Sequence, residues 1–179
     1  MPDPIPPALT SRRLALAGLA AATLPAAWAQ PASPGEDKPL PLPAVGSPLA
    51  VPDVPLLDGT LARAADADGK VLLLYWWASW CPFCAQQSPW MDKFWQAHQA
   101  RGLRMLGLSI DRKAEEASAY LARKGHRFPA GLVTPAVARV LPKPKGLPVT
   151  IVRGRDGRVL AAETGQLFPE DIEHFARFL

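Results

Sequence analysis

The hydrophobic pattern is sharpest between residues 71 and 110. Val71-Leu72-Leu73-Leu74-Tyr75-Trp76 is apolar at successive positions, which predicts a strand buried on both faces, as in a parallel sheet. The period then changes. Met91, Phe94, Trp95 and His98 recur at helical spacing, so a helix is expected from about Pro82 to Arg101, stopped by Gly102. Leu103–Ile110 reads as the next strand. Asp111 stands where it can cap a helix running to Lys124, with Gly125 as its stop.

Beyond that unit the pattern is shorter and more broken. Thr134-Pro135 predicts a short helix, with Thr as N-cap and Pro in the first turn. Val149–Arg153 and Val159–Thr164 flank Asp156-Gly157 and read as a β-hairpin. Pro169-Glu170-Asp171 opens a last helix, with Ile172, Phe175 and Leu179 as its apolar stripe. Ahead of the first long strand, Val54–Leu57 runs into the turn Asp58-Gly59, and Asp68-Gly69 marks a second turn. The order is strand, helix, strand, helix, helix, hairpin, helix. A parallel βαβ unit followed by a hairpin and a helix implies an α/β fold, a central mixed β-sheet flanked by helices on both faces.

The first 49 residues follow neither period. In residues 1–29, Arg12 and Arg13 precede an apolar run from Leu14 to Leu24, then Pro25 and the small-x-small site Ala27-Trp28-Ala29. That is the layout of an export signal, of secretory or twin-arginine type, and the apolar run is short of the roughly 20 residues a membrane helix needs. An uncleaved N-terminal anchor is the alternative. Residues 30–49 hold Pro31, Pro34, Pro39, Pro41, Pro43 and Pro48, and read as a proline-rich linker ahead of a single domain over residues 50–179.

Charge narrows the function classes. The formal net charge is +4 over 179 residues; loss of residues 1–29 removes two arginines and one aspartate and leaves +3. No Lys/Arg cluster with interleaved aromatics accompanies it, so no nucleic-acid partner is expected.

The chemistry lies in the two cysteines, Cys81 and Cys84, set directly after the buried strand and at the mouth of the long helix. The thiolate is the form that attacks a disulfide. At the helix N-cap, the dipole and unpaired N–H groups favour negative charge, which moves a cysteine from about 8.5 toward the 3.5–7.5 range of reactive thiols. Pro82 suits the first turn, where its missing N–H costs nothing. Cys84, one turn in, can reach back to Cys81. Cys81 is then the nucleophile, forming a mixed disulfide, and Cys84 the resolving thiol. Two other readings stand beside this one. Half a zinc site would need two more ligands; there is no third cysteine, and His98, His126 and His174 show no paired spacing, so no metal is expected. A purely structural disulfide over so short a loop would stabilise little. No cofactor is expected beyond a redox-active Cys81–Cys84 disulfide.

Trp77-Ala78-Ser79-Trp80-Cys81-Pro82-Phe83-Cys84 resembles the Trp-Ala-x-Trp-Cys-x-x-Cys signature of the thioredoxin superfamily. Pro89 matches the proline that kinks its first long helix, and Gly146-Leu147-Pro148-Val149-Thr150 resembles its cis-proline segment. Within the superfamily the chain is similar to the periplasmic TlpA/ResA-like branch over residues 50–179, including a central helical insertion at Ala114–Lys124 and an N-terminal β extension. The resemblance implies a cis Pro148 facing the disulfide, Leu147 offering backbone hydrogen bonds to a bound chain, and Trp80 as a contact surface; Trp76 and Trp77 read as core. It implies a thiol–disulfide oxidoreductase reducing client protein disulfides in the periplasm, with haem attachment to cytochrome c among the client processes. A membrane thiol–disulfide donor would re-reduce it, and a monomer is expected. The alternatives are an oxidase or isomerase that introduces disulfides, and a non-catalytic module that grips a partner or metal. A peroxidase is disfavoured because no Thr-x-x-Cys surrounds either cysteine.

Two positions depart from the family. Thioredoxin has a buried acid where this chain has Tyr75, and ResA-like proteins have a glutamate where it has Gln87. A carboxylate there helps deprotonate the resolving thiol, so a slower resolving step is expected. Phe83 adds neither charge nor donor beside Cys81, which favours an intermediate to reducing potential.

Overall fold

The computed structural model describes residues 41–179. The export signal expected at residues 1–29 and the first part of the proline-rich segment lie outside the described residues.

The first long hydrophobic run becomes β3, Val71–Trp77, with every side chain buried. It stands at the centre of a five-stranded sheet, with two strands on either side. β4 (Leu103–Ser109) pairs parallel to β3, and β5 (Ala130–Leu132) parallel to β4. β6 (Val149–Arg153) and β7 (Val159–Thr164) form the expected hairpin; β6 pairs antiparallel to β3, and β7 antiparallel to β6 on its far side. A small hairpin of β1 (Val54–Pro55) and β2 (Leu61–Ala62) precedes the sheet.

Alternation along β3 sends its side chains to two cores. Leu73, Tyr75 and Trp77 join Met91, Phe94, Tyr120, Phe128, Ile172 and Phe175 on one face. Leu72, Leu74 and Trp76 join Leu106, Leu108, Val137, Leu141 and Ile151 on the other. The first core holds α1 (Pro82–His98), α2 (Ala114–Lys124) and α4 (Pro169–Glu173); the second holds α3 (Pro135–Val140). Each buried Leu or Trp of β3 contributes on the order of 1.5–3 kcal/mol, so the strand that delivers the chain to Cys81 is the best anchored in the sheet.

Four local expectations are corrected. The long helix ends as α-helix at His98, and Gln99–Arg101 closes as a 3-10 turn before Gly102. β5 was not expected; Ala130-Gly131-Leu132 is too short to show a period. Gly131 there has no room for a side chain, since a Cβ would lie 2.5 Å from the Pro55 carbonyl oxygen. Asp111 does not cap α2, which starts three residues later behind Lys113; its carboxylate is taken by Ser79 and Ser109. The described end of the proline-rich segment is not a free linker. Gly46 N–H donates to Val159 O at 2.8 Å, Val159 N–H to Ser47 O at 2.9 Å and Leu49 N–H to Gly157 O at 2.9 Å. Leu42 and Leu49 pack on the second core. Proline removes donors but leaves carbonyls and apolar surface, and the intervening Gly46 and Leu49 supply N–H groups while Ser47 supplies a carbonyl.

Candidate active site

β3 delivers Trp77-Ala78-Ser79-Trp80 to the carboxyl edge of the sheet, and α1 begins immediately after it. Cys81 is the N-cap of α1, in extended conformation, with Pro82 at the first helical position. Its sulfur accepts the Cys84 N–H at 3.1 Å, which satisfies one of the free donors of the first turn. No acidic residue lies in that turn, so the dipole field at Cys81 is not cancelled from within the helix. Cys81 and Cys84 are joined as a disulfide, Cα–Cα 5.2 Å.

Burial separates the two sulfurs' surroundings. Cys84 is fully buried and Cys81 4 % exposed, while the flanking Trp80 and Phe83 are 65 % and 55 % exposed. Trp76 and Trp77 are core, as their positions in the strand predict. Two exposed aromatic side chains therefore flank a nearly buried Cys81.

The Leu147–Pro148 peptide bond is cis. Strand register places this segment beside the redox loop: Val149 pairs with Trp76 and Thr150 with Tyr75, at the end of β3 that leads to Cys81. Leu147 is partly buried against the core that contains both cysteines. The approach is braced from behind. The Lys143 ammonium donates to Pro144 O at 2.8 Å and Gly146 O at 3.2 Å, and burial lowers its pKa. Gly146 adopts φ +87°, and a Cβ there would lie 2.8 Å from Thr164 Oγ1, so only glycine fits this entry to the cis bond.

Gln87 does more than replace an acid. It is fully buried and uses both ends of its amide. Nε2 donates to Thr150 Oγ1 at 3.1 Å, and Oε1 accepts the Leu167 N–H at 2.7 Å. It thus ties α1 to the cis-proline strand and to the loop between β7 and α4. Gln166 Nε2 to Gln86 Oε1, 3.1 Å, is a second tie to the same loop, and Phe168 from it lies 6.2 Å from the Trp90 ring.

Beneath Cys84 lie two hydroxyls, that of Tyr75, which stands where thioredoxin has an acid, and that of Ser88, which the sequence did not single out. Tyr75 Oη donates to Cys84 O at 3.3 Å and is 3.0 Å from Ser88 Oγ. Burial pushes the Tyr75 phenol well above its ordinary value, only partly offset by Ser88. It is a neutral hydrogen-bonding group across the physiological range and no substitute base. Ser88, four residues after Cys84 and hence on the same helix face, was legible; its pairing with Tyr75 was not.

The AhpC/TSA family model matches residues 45–159. The thiol-disulfide oxidoreductase ResA of Geobacillus thermodenitrificans is 30% identical over 135 residues, 73% of this chain and 75% of that protein. ResA of Geobacillus kaustophilus is 30% identical over 134 residues, 73% of this chain and 75% of its own length. Among solved structures, a Chlorobium tepidum protein assigned as thiol:disulfide interchange protein DsbE superposes with a TM-score of 0.64 at 28% identity, over 75% of this chain and 94% of that one. A thioredoxin family protein from Chlorobium tepidum TLS reaches 0.69 at 21% identity, over 75% and 97% of the two chains, and speaks for the fold.

Proposed function

The chain belongs to the AhpC/TSA family and is a thiol–disulfide oxidoreductase of thioredoxin-like fold; from there we propose that it works as a reductase of client protein disulfides in the periplasm, through Cys81 as nucleophile and Cys84 as resolving thiol. The observation that carries this reading is the placement of the pair. Cys81 caps α1 flanked by two exposed aromatic side chains, and Cys84 sits sealed one turn inside. The Cys81 thiolate attacks a client disulfide, one client sulfur leaves as thiolate and takes up a proton, and a mixed disulfide forms. Cys84 loses its proton and attacks Cys81 Sγ, which expels the second client thiolate. The client gains two electrons, and the Cys81–Cys84 disulfide is left for a membrane-bound dithiol donor to reduce. The redox group is the disulfide itself, with no cofactor or metal.

Export, cleaved or anchored at its N-terminus, rests on the arginine–apolar–small-residue pattern of residues 1–29. Trp80 and Phe83 favour an apolar client segment, and a haem-attachment substrate is one such client. Direction rests on the neutral neighbour Phe83, which does not stabilise the thiolate. Equilibration with glutathione redox buffers should place the couple well below the roughly −120 mV of a strong periplasmic oxidant. A potential near that value would reverse the assignment to oxidase.

A second test concerns the missing acid. In Gln87→Glu the carboxylate keeps an acceptor for Leu167 N–H, and Thr150 Oγ1 can turn to donate, so the fold should tolerate it. A base at this position is expected to speed the resolving step on the order of tenfold or more. Stopped-flow release of client from the mixed disulfide measures this directly; an unchanged rate would show that Cys84 deprotonation is not limiting.

A further inference from the structure

Asp111 holds the loop that presents Cys81. Its carboxylate is buried, 7 % exposed, at the carboxyl edge of β4. It accepts Ser79 Oγ at 2.7 Å, Ser79 N–H at 3.1 and 3.2 Å, and Ser109 Oγ at 2.7 Å. Ser109 Oγ in turn accepts the Asp111 N–H at 3.0 Å. Among the described residues no Lys, Arg or His forms an ion pair with it. With no counter-ion, its charge is offset by hydrogen-bond dipoles alone, and in a buried site what remains is screened less than in water.

One peptide group connects this anion to the nucleophile. The N–H of Ser79 points to Asp111. The carbonyl of the same peptide, Ala78 O, accepts the N–H of Cys81 at 3.2 Å. The chain is carboxylate, peptide 78/79, Cys81 amide, and each link polarises the next. Both the carboxylate and the polarised carbonyl place negative charge near Cys81. The dipole of α1 acts in the opposite sense.

We propose that Asp111 is a positioning and electrostatic residue for the redox centre: acting through the Ala78–Ser79 peptide, it fixes the Cys81 loop and opposes the helix dipole, which disfavours the thiolate and makes the Cys81/Cys84 couple more reducing. This rests on Cys81 and Cys84 being the redox pair. The carboxylate absent at positions 75 and 87 is thereby supplied from the neighbouring strand, in a different role. The other charges near the loop are Lys143 and Lys145, on the approach to Pro148, and Arg112 and Lys113, after Asp111. Arg112, Lys113 and Lys145 are exposed to solvent, and the Lys143 ammonium is spent on backbone carbonyls. Among the described residues, the titratable group hydrogen-bonded beneath Cys84 is Tyr75, which stays neutral.

The test is a pH titration of thiolate absorbance at 240 nm on the reduced full chain, with insulin reduction by the wild type checking the redox pair independently. Asp111→Asn keeps the size and one acceptor, and Ser109 Oγ can accept from the new amide. Its Cys81 midpoint should fall by about one pH unit, a tenfold change. At a pH above both midpoints the equilibrium with glutathione should shift tenfold toward the dithiol, about 30 mV for a two-electron couple. Ser79→Ala removes one hydrogen bond and leaves the charge, so its midpoint should stay close to that of the wild type. An unmoved midpoint in Asp111→Asn, or an equal fall in both variants, overturns the electrostatic role. Should Asp111→Asn fail to fold, Asp111→Ser takes its place, a neutral residue whose hydroxyl can still accept from Ser79: the same fall in the Cys81 midpoint is expected, and an unmoved midpoint overturns the proposal.

Discussion

Replacing Cys81 by serine should bring insulin reduction down to the uncatalysed rate, a loss on the order of a thousandfold or more. The geometry leaves no understudy. Cys84 is fully buried beneath the first turn of α1, and the described part of the chain holds no other cysteine. A client disulfide meeting Trp80 and Phe83 can be reached only from Cys81. The complementary variant separates the two steps: Cys84→Ser should still attack and then stall, so that mixed disulfides accumulate and survive non-reducing electrophoresis. Turnover surviving in Cys81→Ser would end the nucleophile assignment, and with it the direction of attack set out above.

The largest effect on stability is expected at Gln87. Alanine there removes a fully buried amide and strands two partners, Thr150 Oγ1 and the Leu167 N–H. Each orphaned buried group costs about 1–3 kcal/mol, and the void adds to it. A total of about 3 kcal/mol, or a melting point lower by roughly 10 °C, follows for a domain of this size. The damage should be local as well as global. Of the side-chain hydrogen bonds from α1 to the loop that carries Phe168, the exposed Gln166–Gln86 tie would remain, so amide exchange at Leu167 should rise more than at the centre of β3. A melting point within about 2 °C of the wild type would mean that the Gln87 bridge carries little of the load in solution.

What could be read from the sequence follows from the range of the interactions involved. β3, α1 and the β6–β7 hairpin were legible because their periods, turn residues and caps act within a few positions. The cysteines were legible for the same reason: strand end, N-cap and first-turn proline are neighbours in the chain. Asp111 was not. An aspartate after a strand looks like a helix cap, and what claims it is a serine 32 residues away. Its place at the carboxyl edge of a parallel pair, where such sheets build their sites, was the available clue. Gln87 was noted as a substitution, but its two partners lie 63 and 80 residues off in sequence. The described end of the proline-rich stretch misled through composition: proline density reports lost donors, while Leu42 and Leu49 were the residues with somewhere to pack.

Part of each margin of the central sheet is covered by the protein's own backbone. Residues 46–49 pair with residues 157–159 at the start of β7, and on the opposite side Leu56 bridges to Gly131 while the Leu57 N–H donates to Ala130 O at 2.7 Å. A sheet with bare margins invites extended chains to add themselves as further strands, which leads to aggregation. Where those stretches are covered, an approaching chain meets sulfur and aromatic rings with fewer free main-chain groups, so a client would be held mainly by a bond that exchange undoes and not by one that grows.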